Sequence, residues 1–264
     1  MKIDHKESYK EFGEQFMIDS NIDDYWGSKD MLKDIVNPFT LTSVKNKVIM
    51  EVGVGSGRIL NNLVKFLPKK AIAVEPSQAI KIAKKNNALS KVKIEFLNLK
   101  AEDIKIKKKV DYVFSLGVIH HIPNYKKACK RIYDSLKPNG KFIIWVYGYE
   151  GNELYLLIFN NIRRITRILP DSVLRIFCTF LNLVCYLYIF LCKFIKLPMQ
   201  QYMLEVFGKC SFEKRNYIIF DQLNPSFSKY FKKQELTDLL KDSGFKNVNI
   251  NHRHGYSWLA IAKK

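Results

Sequence analysis

Residues 48–60 read VIMEVGVGSGRIL. An apolar run breaks into three glycines at alternate positions, Gly53, Gly55 and Gly57, and a second apolar run begins at once. Glycines so closely spaced mark a turn whose backbone takes conformations, or approaches a ligand, in ways a side chain would block. Between a strand and a helix, such a turn belongs to α/β sheets whose backbone N–H groups meet a nucleotide-like ligand. The spacing excludes two common versions. A P-loop needs Lys and then Ser or Thr after its last glycine, and Arg58-Ile59 stands here. The dinucleotide fingerprint needs a glycine where Arg58 stands. Instead Glu51 opens the motif, and Glu75 ends the next apolar run, AIAVEPS, 18 residues beyond Gly57. A carboxylate about 20 residues after the turn is positioned to accept both hydroxyls of a ribose, or else to cap the helix that follows.

The remaining pattern fits that turn. NKVIMEV, KKAIAVEPS, KVKIEFLNL, KVDYVFSLGVI and KFIIWVYGY read as strands, separated by helical stretches such as QAIKIAKKNNAL and NYKKACKRIYDSLKPNG. Short apolar strands alternating with helices predict a doubly wound, mostly parallel sheet. The alternation stops after residue 150. Residues 151–220 read as helices, and KKQELTDLLKDSGF with KNVNINHRHGYSWLAIAKK then gives a helix and two strands around Gly255. The expected divisions are a helical N-terminal cap over 1–45, with a Ser-capped helix in SKDMLKDIV, a cofactor-binding core over 46–150, a helical apolar insertion over 151–220, and 221–264 completing the core.

Four segments together carry a family resemblance: EVGVGSG, VEPS, LKAEDI (99–104) and SLGVIHHIPN (115–124). On these the chain resembles the class I S-adenosylmethionine-dependent methyltransferases, closely over 46–147 and more loosely over 221–264. The resemblance implies a Rossmann-like sheet of seven strands, the last antiparallel, and S-adenosylmethionine as cofactor. It implies that Glu51, Gly53, Gly55 and Gly57 shape the pocket for the methionine part and that Glu75 binds the ribose. Ala101 and Glu102 would sit by the adenine, and Ser115 and Leu116 would line the floor. The family often has Asp or Asn just before the alanine, where this chain has Lys100.

Methyl transfer asks the protein to position an acceptor, exclude water and, for a hydroxyl or protonated amine, supply a base. Ligands of open α/β sheets bind beyond the C-terminal ends of the strands. That rule selects His121 after strand four, with His120 either packing beside it or sharing the site. It also selects the turn HRHGY, whose His254 and Tyr256 are expected as catalytic groups and His252 and Arg253 as substrate ligands. Tyr147 after strand five is expected as a substrate-side wall, and Asp221, Asn224 and Tyr230 are further candidates. His5 lies in the N-terminal tail and drops out. The Asn/Asp-Pro-Pro-aromatic motif of base-amine methylation is absent after strand four, as is a Pro-Cys nucleophile.

Composition bears on partners. The 44 Lys and Arg against 25 Asp and Glu give a formal charge of +19, which favours anionic partners or reflects a compositional bias of the chain. Five cysteines without a CxxC or paired Cys/His spacing predict no metal and no disulfide framework. The charged start, MKIDHKESYKEFGEQF, has no apolar signal core, so a cytoplasmic chain is expected. Residues 176–192 carry no charge over 17 positions. That length reaches the lower limit for a membrane span, but strands on both sides must join one sheet. The insertion is therefore expected to be a lid, a dimer contact, or a set of helices peripheral to the inner face of a membrane. Cys178, Cys185 and Cys192 recur every seven residues and share one face. The expected activity is methyl transfer to a small molecule, glycan precursor or lipid-linked acceptor. A tRNA or other RNA methyltransferase is the alternative, and a non-catalytic cofactor-binding subunit a third.

Overall fold

The computed structural model describes residues 25–166, 168–223 and 227–264. The charged N-terminal stretch with His5, and Asn224, lie outside them. Seven strands form one sheet: β1 (Val48–Val52), β2 (Lys70–Val74), β3 (Ile94–Leu97), β4 (Val110–Leu116), β5 (Leu136–Tyr147), β6 (Asn247–Arg253) and β7 (Ser257–Lys263). Their order across the sheet is β3-β2-β1-β4-β5-β7-β6, with β7 antiparallel to both neighbours and the other pairings parallel. The order reverses between β1 and β4, so the crevice at a topological switch point opens beyond the glycine turn.

Strand side chains alternate between two cores. Ile49, Phe114 and Ile143 pack on one face, with α1 (Lys29–Val36) and α2 (Arg58–Val64). Met50, Val52 and Ile144 pack on the other, with α4 (Tyr125–Ser135) and α9 (Lys233–Asp242). The short α3 (Ala79–Asn86) follows β2. Ser28 caps α1 as its sequence predicts, accepting from the Met31 N–H at 3.0 Å.

One boundary differs from the sequence pattern. The turn Pro138-Asn139-Gly140 reads as the stop of α4, yet the chain joins the sheet already at Leu136. Leu136 pairs with Val110, and the register then jumps so that Lys141 pairs with Tyr112. The residues between bulge out, with Asn139 at φ 62°. Lys137 ties the bulge down through an ion pair with Asp111, 2.9 Å away, while Asp111 also accepts the Val48 N–H at 2.8 Å.

Four helices stand between β5 and α9: α5 (Glu153–Thr166), α6 (Asp171–Cys192), α7 (Gln200–Glu205) and α8 (Phe212–Leu223). They form a third apolar cluster that includes Leu174, Cys178 and Cys192 of α6, Met203 of α7, and Phe220 and Leu223 of α8. α8 runs past residue 220 because Phe220 and Leu223 still pack there. The chain rejoins the sheet at Phe231, whose N–H donates to the Tyr147 carbonyl (2.9 Å) while its carbonyl accepts from Tyr149 (2.8 Å). The helices thus rise from, and return to, the C-terminal end of β5, directly over the crevice.

Candidate functional site

A cavity of about 270 Å³ occupies that crevice, walled on one side by the ends of β1, β2 and β4 and on the other by α5 and α8. Its first wall is largely backbone. Gly53, Gly55 and Gly57 all have positive φ. A Cβ on Gly53 would lie 2.4 Å from both γ-carbons of Val118, and one on Gly57 would lie 2.5 Å from Asn87 Nδ2. Neither position admits a side chain without displacing its neighbour. The Glu75 carboxylate accepts from the N–H of Gly55 and of Ser77, each at 3.0 Å. An ionised carboxylate has about four lone-pair directions, so two remain for ligand hydroxyls on the cavity side. Glu75 therefore fixes the turn and lines the cavity at once.

Glu51 also lines the cavity and is 2 % exposed. Its Oε2 is buried with no hydrogen-bond partner. Burial, and then the like charge of Glu75, hold its carboxyl well above the usual carboxylate range, with Arg58 opposing. A buried carboxylate oxygen without a partner is costly, and a cationic amine would satisfy it. The pairing of that acceptor with the Glu75 carboxylate across a side-chain-free turn suits a ligand carrying both an amine and a ribose. S-adenosylmethionine carries both. Ala101 and Leu116 complete this end as lining residues. Ser115 does not line it, since its hydroxyl is fully buried and donates to the Val52 carbonyl at 3.2 Å, tying β4 to β1. Glu102 is likewise outside the lining, half-exposed on the short turn Ala101–Asp103.

The opposite wall is side chain. Gln222 of α8 organises it. Its amide Nε2 donates to the Tyr147 hydroxyl (3.0 Å), and its Oε1 accepts from the hydroxyls of Tyr155 (2.8 Å) and Tyr230 (3.0 Å). Arg163 of α5 closes the network, donating to the Gln222 carbonyl (2.7 Å) and to the Tyr155 hydroxyl (3.2 Å). Burial pushes the phenols of Tyr147 and Tyr155 well above the usual range. They are neutral hydrogen-bonding groups and not bases.

His121 is half-buried on the same wall, its Nδ1 2.9 Å from the Phe227 carbonyl. A carbonyl cannot donate, so Nδ1 carries the proton and Nε2 is the accepting nitrogen of the neutral ring. Burial lowers its pKa to about 4. His120 is fully buried, its ring tilted against that of Tyr147 with centroids 4.0 Å apart, and neither ring nitrogen is hydrogen-bonded. It packs behind the wall.

The turn at Gly255 contributes one residue to the cavity lining, Tyr256. Its phenol accepts from Arg253 Nη1 at 2.8 Å and is pushed up to about 12 by burial, against the opposing charge of Arg253. Arg253 pairs with Asp34 of α1, and His254 Nε2 lies 3.0 Å from the same carboxylate. His252 stacks on Trp258 at 4.2 Å and contacts the Glu150 carbonyl, on the exposed side. The structure thus brings His121, Tyr147 and Tyr256 together and leaves His252, Arg253 and His254 outside the lining, joined to α1 and β7.

Several lining residues carried no chemical signature in the sequence. Lys214, Tyr217 and Ile218 are among them; with Asp221, a candidate already named from the sequence, they follow one another at helical spacing along α8 and share its cavity face. That periodicity was the available signal for them. Trp26, Trp145 and Tyr202 reach the cavity from three separate parts of the chain, and no local pattern joins them.

A doubly wound sheet with a glycine turn, a buried acidic residue before it and a carboxylate ending the second strand defines a nucleoside-cofactor-binding α/β core. Residues 50–144 match the family model described as a methyltransferase domain, so the chain carries a methyltransferase domain, and the donors lining the cavity suit S-adenosylmethionine as its cofactor. Solved structures share the fold. The Burkholderia thailandensis 1,6-didemethyltoxoflavin-N1-methyltransferase, with bound 1,6-didemethyltoxoflavin and S-adenosylhomocysteine, aligns at TM-score 0.57 and 13% identity, over 97% of this chain and 86% of its own. Human N-acetylserotonin methyltransferase in complex with S-adenosylmethionine aligns at TM-score 0.56 and 14% identity, over 98% of this chain and 57% of its own. By sequence, the tRNA U34 carboxymethyltransferase of Campylobacter jejuni is 29% identical over 151 residues, 55% of this chain and 52% of its own length. The protein of the same name from Helicobacter pylori is 28% identical over 133 residues. The chain spans about half the length of the curated relatives it matches.

Proposed function

We propose that the chain transfers a methyl group from S-adenosylmethionine to an acceptor small enough, or with a head group small enough, to be enclosed beneath α5 and α8. A small molecule, a glycan precursor and a lipid-linked intermediate all fit that description. The observation that carries this reading is the continuity of one cavity, from Gly53 and Glu75 to Tyr147, Tyr155 and Gln222 under a helical cover. When bound, the cofactor supplies a methyl carbon on a sulfonium, open to in-line displacement.

Glu51 and Glu75 would hold the amine and the ribose, and the glycine turn would let the ligand backbone approach. Tyr147, Tyr155, Tyr230 and Gln222 present neutral hydroxyl and amide groups that orient a polar acceptor atom. His121 Nε2 accepts the proton that leaves the acceptor as the new bond forms. A ring held neutral by burial is in the proton-accepting form at pH 7. The lid excludes water from the reacting atoms.

A nucleic-acid acceptor is the second reading. It draws on the names of the sequence relatives and on the charge of +19. Incubation with methyl-labelled cofactor and fractionated cell extract separates the two. Label in the low-molecular-weight or lipid fraction is expected. Label in bulk RNA, together with RNA binding that weakens steeply as salt rises, would overturn the enclosed-acceptor reading.

A further inference from the structure

α6 has two faces of opposite fates, and the more apolar one faces outward. Leu174, Cys178, Asn182 and Cys192 are buried, with the Asn182 amide donating to the Phe212 carbonyl and to Asn216 Oδ1, both at 2.9 Å. The other face carries Ile176, Phe180, Leu187 and Phe190, of which Ile176 is 73 % and Leu187 61 % exposed. These positions follow helical spacing and form one strip, which Phe194 (72 % exposed) extends past the helix end. Leu157 and Ile165 add exposed apolar surface on α5. Single exposed apolar side chains are ordinary, but a continuous strip marks a contact surface.

The charges around the strip choose its occupant. Between Glu153 and Glu205 the sequence holds six Lys and Arg, of which Arg163 is buried in the Gln222 network, and one carboxylate between those two glutamates, Asp171. Arg164, Arg175, Lys193 and Lys196 are exposed, and the last two bracket Phe194 and Ile195. A second copy of the chain would bring the same cations against themselves. A nucleic acid would engage the cations and leave Ile176, Phe180 and Leu187 in water. An anionic bilayer takes both, apolar side chains into the acyl boundary and cations onto head groups. α6 is long and apolar enough to cross a membrane by length and composition. It cannot do so here, because β5 before it and β6 and β7 after it join one sheet, and its inner face is packed on α8.

We propose that the outer face of α5 and α6 is a docking surface on which the protein lies along an anionic lipid bilayer. The test is flotation of the full chain with vesicles of phosphatidylcholine alone, and of phosphatidylcholine mixed with phosphatidylglycerol. Binding to the mixed vesicles is expected, and Phe180→Glu with Leu187→Glu weakens it at least ~10-fold. Lys193→Gln and Lys196→Gln each weaken it about fivefold, on anionic vesicles only. Affinity for S-adenosylhomocysteine stays unchanged in every variant, which certifies the fold, and Phe180→Ser with Leu187→Ser serves if the glutamates disturb the helix. Three outcomes overturn the proposal. One is failure of the wild-type chain to float with the mixed vesicles, and another is flotation indifferent to the strip substitutions. The third is a stable dimer that the strip substitutions split, which would make a second copy the occupant.

Discussion

On the Gly53–Glu75 side the cavity wall is backbone held by one carboxylate, and on the Tyr147–Tyr230 side it is side chain held by one amide. The first wall leaves no room for a side chain at Gly53 or Gly57, because Val118 and Asn87 already stand where a Cβ would go. The second is a set of hydroxyls around Gln222 that other residues could replace piecemeal. A ligand common to many proteins suits the first kind of wall, and an acceptor particular to one suits the second. The difference is testable because the two walls respond oppositely to substitution and to pH.

The largest effect is expected at Gly53. An alanine there would hold φ near 77° and drive its methyl into Val118. Left-handed backbone costs a non-glycine residue about 1–2 kcal/mol. Overpacking adds about 1–3 kcal/mol. The sum is a large share of a domain stability of ~5–15 kcal/mol. A fall in the denaturant midpoint and loss of binding to S-adenosylhomocysteine in calorimetry are expected. Wild-type behaviour would break the contrast at its base, since the first wall would then have slack.

Titration comes next, and the signs differ between walls. His121 has an ordinary pKa of 6.5 and a folded one of about 4. The unfolded chain therefore takes up the proton first. Its contribution is complete above pH 6.5 and is lost as pH falls toward 4, amounting to about 3 kcal/mol. His120, lowered by burial and by His121 beside it, acts in the same direction. Glu51 runs the other way. Its folded pKa is raised well above the ordinary 4.5, by burial and then by Glu75. Its contribution is complete below pH 4.5 and is lost as pH rises through the folded value. Hence Glu51→Gln should raise the thermal midpoint of the ligand-free protein at neutral pH while weakening cofactor binding. His121→Asn should flatten the acid limb of stability between pH 6.5 and 4. Equal pH profiles for wild type and both variants would show that neither wall stores its charge as described.

Glu75→Ala sharpens the comparison on the donor side alone. It removes the acceptor for Gly55 and Ser77 together with the ribose ligand, and affinity for S-adenosylhomocysteine should fall at least ~10-fold, about 1.4 kcal/mol. Unchanged affinity would leave Glu75 a turn-fixing residue only. The same contrast explains what could be read before folding. Glu51, the glycines and Glu75 are legible because backbone geometry fixes their spacing along the chain, and β1, β2 and β4 because each is an apolar run of strand length. The Gly255 turn was legible as a hairpin but not in its contacts. Arg253 and His254 meet Asp34, a residue over 200 positions away whose presence at that spot only the fold decides. Tyr155, Gln222 and Tyr230 meet across an insertion with no regular alternation, so nothing local announced that three hydroxyls would share one amide.

The smallest effect is expected on the outside of the cover. Leu183 of α6 is 57 % exposed, although its neighbour Asn182 is fully buried. By composition alone the leucine belongs inside and the asparagine outside. In the fold, Asn182 answers a carbonyl and an amide of α8, and Leu183 faces away. Leu183→Gln should therefore change folding stability by less than ~0.5 kcal/mol. Asn182→Ala should cost more, about 1–3 kcal/mol, by removing the two hydrogen bonds its amide donates to the Phe212 carbonyl and to Asn216 Oδ1. Paired denaturation curves decide the order. If the leucine proved the costlier loss, the strip it belongs to would be part of the protein's own core, and the wall of side chains would rest on two layers of packing instead of one.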